Sequence, residues 1–448
     1  MSAAVWTADW LADACAGRVV VDAGGSATGF AIDSREARPG DLFVGIPGAR
    51  NDGGEFAAQV IESGAWGALV TPDHSSASDT AGGTVIEHPD PVAALGMIAS
   101  AHLKTLDCKV VGVTGSSGKT STKDILLAVL STAGSTVATR GNRNTEIGMP
   151  LEILRATEET RFLVLEMTMR GSGQIAALAA MASPDVGVIV TIGPAHLDLL
   201  GSLEAIAAAK CELIAGLGPH CVAVLPTAEP LIEPHLRTDI KTTFFGKGGD
   251  VELIEVNGRD LTISIAGSEL EISVNFDQAH NRSNLLAALA AADALGVRPP
   301  RDLSVNFSAL RGERIELPRD IVLINDCYNS NPQSLGAGLT DLASESARRG
   351  GRAVAVLGDM LELGPEEIAY HQEAGMQAEA LGVGLLVAVG PLAANMTATF
   401  NGPTATFPNA DAAADALGRL LQPQDTVLIK GSRGIGLDVV ANRLGEGD

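Results

Sequence analysis

The chain has 448 residues, 46% hydrophobic and 19% charged, enough for a sizeable core in about three domains and too apolar for disorder. Asp and Glu number 54 against 31 Lys and Arg, a formal net charge of -23 that argues against binding to nucleic acid or an anionic membrane. An anionic ligand must then be held locally, by helix N-termini and single basic side chains.

The opening "MSAAVWTADWLADACAG" carries Asp9 and Asp13 and no basic region, so it does not read as a signal peptide. Cys15, Cys108, Cys211, Cys221 and Cys327 are odd in number and form no C-x-x-C pair, which points to a reducing compartment. No apolar run reaches the ~18 residues of a membrane span. A cytoplasmic protein without membrane insertion is expected, and a monomer.

Residues 1–106 form a first unit, with strands in "GFAID", "DLFVGI", "WGALV" and "GTVIE" between turn clusters. "EHPDP" breaks the chain before a helix in "VAALGMIASAHLKTL". Residues 107–314 form a second. Apolar runs at 110–114, 162–166, 186–192 and 222–225 read as buried parallel strands. The alternation over 251–274 reads as an antiparallel insertion, and a helix follows at 282–295, closed by Gly296. Residues 315–448 form a third, a small doubly wound domain with strands at 321–325, 353–357, 385–389 and 426–430. The expected fold class is α/β in three domains.

Between the first strand of the second unit and its helix lies "TGSSGKTS", residues 114–121. The common phosphate loop is G-x-x-x-x-G-K-[ST], but five residues before Gly118 stands Val113, and the nearest preceding glycine is Gly115. Gly115, Ser116, Ser117 and Gly118 can still turn backbone N–H groups onto phosphate oxygens, with Ser121 in the helix start. Lys119 can neutralise terminal phosphates, and the Thr120 hydroxyl can ligate Mg²⁺.

Three more residues suit such a site. Glu166 ends the strand run "FLVLEM", where a carboxylate can meet Mg²⁺; alone it would read as a solvated strand-end acid. His196 follows the next strand, in "VTIGPAHLD". Lys210 shares a helical face with Leu203, Ile206, Ala207 and Leu213 or Ile214. Lysines on apolar stripes usually snorkel to the rim. A desolvated one has a lowered pKa, and its neutral amine can take up CO₂ as a carbamate. Asn281 and Asn284 lie three apart at a helix start, as caps or as amides for a purine edge.

These motifs together resemble the Mur ligases, ATP-driven amide-forming enzymes of peptidoglycan synthesis, along essentially the whole chain. The resemblance rests on "TGSSGKT", the strand-end Glu166, "GPAH", "AKCE" and "HNRSNLLAA". It implies ATP and Mg²⁺ as cofactors, Glu166 and His196 as magnesium ligands, and a carbamylated Lys210. Asn281 and Asn284 would line the adenine pocket, Arg314 would reach phosphates and Asp326 would meet the ribose. "IDSREARPGDLFVGIPG" is similar to the family's uridine-binding domain, with Ser34 and Arg35 as contacts. "NTEIG" adds substrate contacts at Asn144 and Thr145, although Thr145 stands where the family carries a second asparagine. Thr168 and Ser172 also depart from a common glycine and proline.

The C-terminal "NDCYNSNP", "LGDMLELG" and "KGSRG" are similar to those of family members that add D-alanyl-D-alanine to UDP-N-acetylmuramoyl-tripeptide. Asn329, Lys430, Ser432 and Arg433 would then serve the acceptor. Residues 1–106 would bind the UDP-substrate, 107–314 ATP, and 315–448 the acceptor dipeptide. Two alternatives stand beside this. One is a ligase adding the third peptide residue, although its D-N-P-R type motif is absent. The other is a non-catalytic nucleotide-binding regulator, although a guanine-reading N-K-x-D is absent.

Overall fold

The computed structural model describes residues 6–49, 51–79 and 82–446; the first five residues of the opening segment lie outside the described residues. Three sheets follow one another along the chain. The first runs Arg18–Val21, Thr84–Glu87, Gly67–Val70, Asp41–Val44, Gly29–Ala31, parallel except for the antiparallel edge strand Arg18–Val21. Asp90 then caps the helix Pro91–Leu103, accepting from Val92 N and Ala93 N, with Pro91 in the first turn.

The second sheet has ten strands. Its parallel centre is Val222–Pro226, Val186–Ile189, Lys109–Thr114, Phe162–Glu166 and Thr136–Ala138. The alternating segment is continuous with this sheet. Lys241–Phe245 bridges to Val251–Asn257, Asp260–Ile265 and Ser268–Val274, which pair antiparallel. The bridging strand "KTTFF" opens with three polar residues, which hid it from an apolar-run criterion. The third sheet runs Glu313–Leu317, Ile321–Asn325, Thr426–Lys430, Ala353–Gly358, Leu385–Val389, Thr404–Phe407, with only the first strand antiparallel to its neighbour.

One buried apolar cluster passes from the first sheet into the second, joining Leu42, Leu69 and Ile98 to Leu163, Ile175 and Leu213. The third sheet is packed within its own clusters, around Leu323, Val356 and Ile429 on one face and Leu339, Leu386 and Leu428 on the other. Among the described residues, no buried apolar cluster joins the second sheet to the third. All five cysteines are free. No described helix is long and apolar enough to cross a membrane.

Register decides where the chemistry sits. Val113 pairs with Glu166 and Thr114 with Ile189, so three adjacent parallel strands end at one level. The phosphate loop, Glu166 and the loop bearing His196 therefore leave the same edge of the sheet.

Candidate active site

Gly118 precedes the helix Lys119–Leu130 at φ 82, and no side chain caps that helix. Its first-turn N–H groups lack a capping acceptor from the protein and suit an anion. A neighbouring loop braces this one. Ser116 N donates to Thr191 O (2.9 Å), Ser117 N to Thr191 Oγ1 (2.9 Å), and Ser116 Oγ to Gly193 O (2.8 Å). A Cβ at position 118 would strike Asn284 Oδ1 and lie 2.8 Å from Val190 Cγ1, on a backbone conformation that disfavours side chains. Gly118→Ala is therefore expected to lower stability by about 1–2 kcal/mol and to weaken ATP use, read by urea denaturation and by KM for ATP.

Lys119 is only part-buried, but its Nζ turns inward to donate to Gly115 O at 2.7 Å. Burial pushes its pKa below the usual lysine value; Glu166 opposes the shift and Arg311 adds to it. Thr120 Oγ1 donates to Glu166 Oε2 (2.8 Å), and Asn144 Nδ2 donates to Glu166 Oε1 (2.8 Å). Glu166 N donates in turn to Thr139 Oγ1 (3.0 Å). At 3% exposure, this glutamate has both carboxylate oxygens held and aimed. Thr120 and Glu166 supply hard oxygen donors, which fit a magnesium ion that keeps water and takes phosphate oxygens as its other ligands.

Lys210 lies on the helix Leu203–Ala215 and is 2% exposed. No hydrogen bond or ion pair to its Nζ occurs among the described residues. Burial holds its pKa well below the usual lysine range, and nearby Lys119 adds to the shift. His196 adopts φ 60 at the start of a short helical turn, and its Nδ1 lies 2.5 Å from Glu362 Oε2. Burial lowers the imidazole pKa, Glu362 opposes, and Lys119 and Lys210 add to the lowering. Lys119, Glu166, His196 and Lys210 thus gather in one electrostatic neighbourhood.

The two helix-start asparagines divide. Asn281 lines a cavity of about 310 Å³ with Phe276, Phe307, Arg311 and Arg314, whereas Asn284 packs on Gly118 and donates to Asn281 Oδ1 at 3.2 Å. Arg314 Nη2 donates to both oxygens of Asp341, at 2.7 and 2.8 Å. Burial raises the Asp341 pKa, and Arg314 opposes that rise. Asp326 accepts from the buried Lys430 Nζ at 2.7 Å, and Asn329 O accepts from the same ammonium at 3.0 Å. Ser432 Oγ accepts from Leu361 N (2.9 Å), while Arg433 stays 59% exposed. The ends of three neighbouring strands in the third sheet are thereby stitched together.

Ser34 and Arg35 stand apart on the first unit; Arg35 is 86% exposed and pairs with Asp33. Asn144 faces Glu166 rather than this loop, and the Thr145 carbonyl is taken up by Met149 N. Arg143 beside them does approach Glu36 (3.9 Å), so the two segments come near one another.

Several residues of this site were not singled out by pattern. Asn331 reaches from the third unit to the phosphate loop, Nδ2 donating to Ser116 O (3.3 Å) and Ser117 Oγ (3.2 Å). It lies inside the quoted "NDCYNSNP", and Glu362 lies inside "LGDMLELG". Thr139 and Thr191 carried no signal, because a single threonine after a strand is commonplace.

Three family models match in chain order: "Mur ligase family, catalytic domain" over 26–103, "Mur ligase middle domain" over 113–292 and "Mur ligase, glutamate ligase domain" over 310–433. A UDP-N-acetylmuramoyl-tripeptide–D-alanyl-D-alanine ligase of Synechocystis sp. is 36% identical over 92% of this chain and 90% of its own. One of Bacillus subtilis is 38% identical over 78% of this chain and 76% of its own. A crystal structure of MurF from Acinetobacter baumannii superposes with a TM-score of 0.88 at 29% identity, covering all of both chains. The Thermotoga maritima MurF ligase in complex with ADP gives 0.81 at 28%, over 93% of this chain and 97% of its own. With likeness of this depth running the length of all three units, the chain belongs to the Mur ligase family.

Proposed function

We propose that the chain is an ATP-dependent ligase that joins D-alanyl-D-alanine to UDP-N-acetylmuramoyl-tripeptide, a cytoplasmic step of peptidoglycan precursor synthesis. One observation carries the reading. Relatives bearing that name match along nine tenths of the chain. In this reading residues 1–106 bind the UDP-substrate through Ser34 and Arg35, 107–314 bind ATP, and 315–448 bind the acceptor.

The tripeptide carboxylate attacks the γ-phosphorus of ATP; the bond to ADP breaks and an acyl phosphate forms. Lys119 and the N–H groups at the helix start offset charge on the transferring phosphoryl group. The dipeptide amine then attacks the acyl carbon, the C–N bond forms, the C–O bond to phosphate breaks, and the proton lost by the nitrogen leaves with the phosphate. Thr120, Glu166, His196 and a carbamylated Lys210 would hold Mg²⁺, which supplies charge neutralisation to phosphoryl transfer when bound. Asn281 and the cavity beside it would take adenine, with Arg314 and Asp326 nearer the ribose and phosphates. Every residue invoked lies on one chain, so a monomer suffices.

The test is phosphate release from ATP with UDP-N-acetylmuramoyl-tripeptide present and D-alanyl-D-alanine, single amino acids or glutamate added in turn. Fast release is expected with the dipeptide alone; equal release with a single diamino acid would overturn the acceptor assignment. Arg433, exposed and loosely paired to Asp438 at 3.8 Å, is the residue best placed to meet the dipeptide carboxylate. Arg433→Ala is expected to raise acceptor KM about ten- to hundredfold and leave KM for ATP unchanged.

A further inference from the structure

Glu362 lies in the third unit, yet it holds the loop 196–198 of the second at two points. Its carboxylate meets His196 Nδ1 at 2.5 Å, and its backbone carbonyl accepts from Asp198 N at 3.2 Å. Both Glu362 and His196 adopt positive φ, 63 and 60, a conformation that ordinary side chains resist and that persists only where surroundings impose it. The loop that presents Glu362 is pinned within its own unit. Met360 N donates to His371 Nε2 (2.9 Å), Leu361 N to Ser432 Oγ (2.9 Å), and Ala393 N to Asp359 Oδ1 (2.7 Å). Glu362 therefore travels with the third unit as part of a rigid platform.

A carboxylate can only accept, so this contact puts the imidazole proton on Nδ1 and leaves Nε2 as the basic nitrogen. Histidines that serve metal sites commonly use a carboxylate in this way, to fix tautomer and ring orientation. Here that carboxylate comes from another unit of the chain. We propose that Glu362 is a positioning residue that orients His196 for the nucleotide–metal site, so that the site is complete only when the third unit is seated against the second. The proposal rests on the ATP-ligase reading for what the site is used for, but the contact itself does not depend on which acceptor is joined. Glu362 touches neither the phosphate loop nor Glu166, and its side chain is 38% exposed, so its replacement should leave the fold intact.

The test measures Mn²⁺, as a paramagnetic probe for Mg²⁺, binding to the full chain with ADP by electron paramagnetic resonance. Glu362→Ala is expected to weaken Mn²⁺ about ten- to hundredfold and to lower kcat with little change in KM for the dipeptide. Glu362→Gln, whose amide oxygen still accepts, should recover part of both. Combined with His196→Ala, Glu362→Ala should add nothing further to the loss of Mn²⁺ affinity, because it acts through the imidazole. Additive losses, or wild-type Mn²⁺ affinity and kcat in Glu362→Ala, would overturn the proposal. If the wild-type chain proved to use another acceptor, the ligase reading would fail while the Mn²⁺ cycle still decided the role of Glu362.

Discussion

Lys119→Ala is expected to slow ligation about a thousandfold and leave the fold intact. The ammonium is aimed at the phosphate loop through Gly115 O, and it is turned inward and partly desolvated. A charge in such a place interacts far more strongly with a developing phosphoryl charge than it would in water. The same burial makes the residue a liability in the free protein. Its folded pKa lies below the ordinary 10.5, so between those two values the unfolded chain binds more protons, and stability rises with pH across that window. At neutral pH the variant should consequently melt no lower than the parent. Single-turnover phosphate release and thermal denaturation give both numbers; turnover within tenfold of the parent would remove Lys119 from the mechanism.

Replacing Lys210 should separate the modified from the unmodified lysine. Lys210→Ala is expected to lose at least about a hundredfold in activity, by loss of a group facing the metal and the ATP terminus. Small carboxylates are expected to restore part of that by entering the vacated space. Lys210→Met keeps an apolar stem without the charge. If the lysine were unmodified, stability would rise with pH from its depressed folded pKa up to 10.5, and Lys210→Met would melt higher than the parent near neutrality. A carbamate would change that balance, and enzyme stripped of CO₂ at mildly acidic pH should regain activity on adding bicarbonate. A ¹³C carbamate resonance after labelled bicarbonate is the direct observation. Its absence, with Lys210→Ala fully active, would leave the residue as a packing lysine.

What the sequence made legible follows the apolar runs. "VVGVT", "FLVLE" and "VLIK" are buried on both faces, so they announce central strands without help from context. Of the strands that escaped, "TVA", "TATF" and "ERIEL" lie at sheet edges, where one side needs no apolar residue, whereas "KTTFF" lies inside its sheet and was hidden by its polar start. The site divides in the same way. Lys119 and Thr120 are specified by a local motif, whereas the Asn144–Glu166 and Asn331–Ser117 contacts join segments 22 and 214 residues apart. Spacing in sequence cannot encode such a meeting. The Asn281–Asn284 pair shows a subtler limit: helical periodicity correctly put both on one face, but only packing assigns one to the cavity and the other to Gly118.

The seam between the second and third sheets is held by polar contacts, among them Asn331 on the phosphate loop and Glu362 on His196, while the first two sheets share one apolar cluster. Heat capacity follows the apolar area that water reaches. Swinging the third unit away should accordingly change it little, and the opening equilibrium should drift only gently with temperature. The first two units have no such freedom. Parting them would wet Leu42, Leu163 and their neighbours, so amide protons on both sides of that cluster should exchange as a single cooperative block, well after those lining the seam.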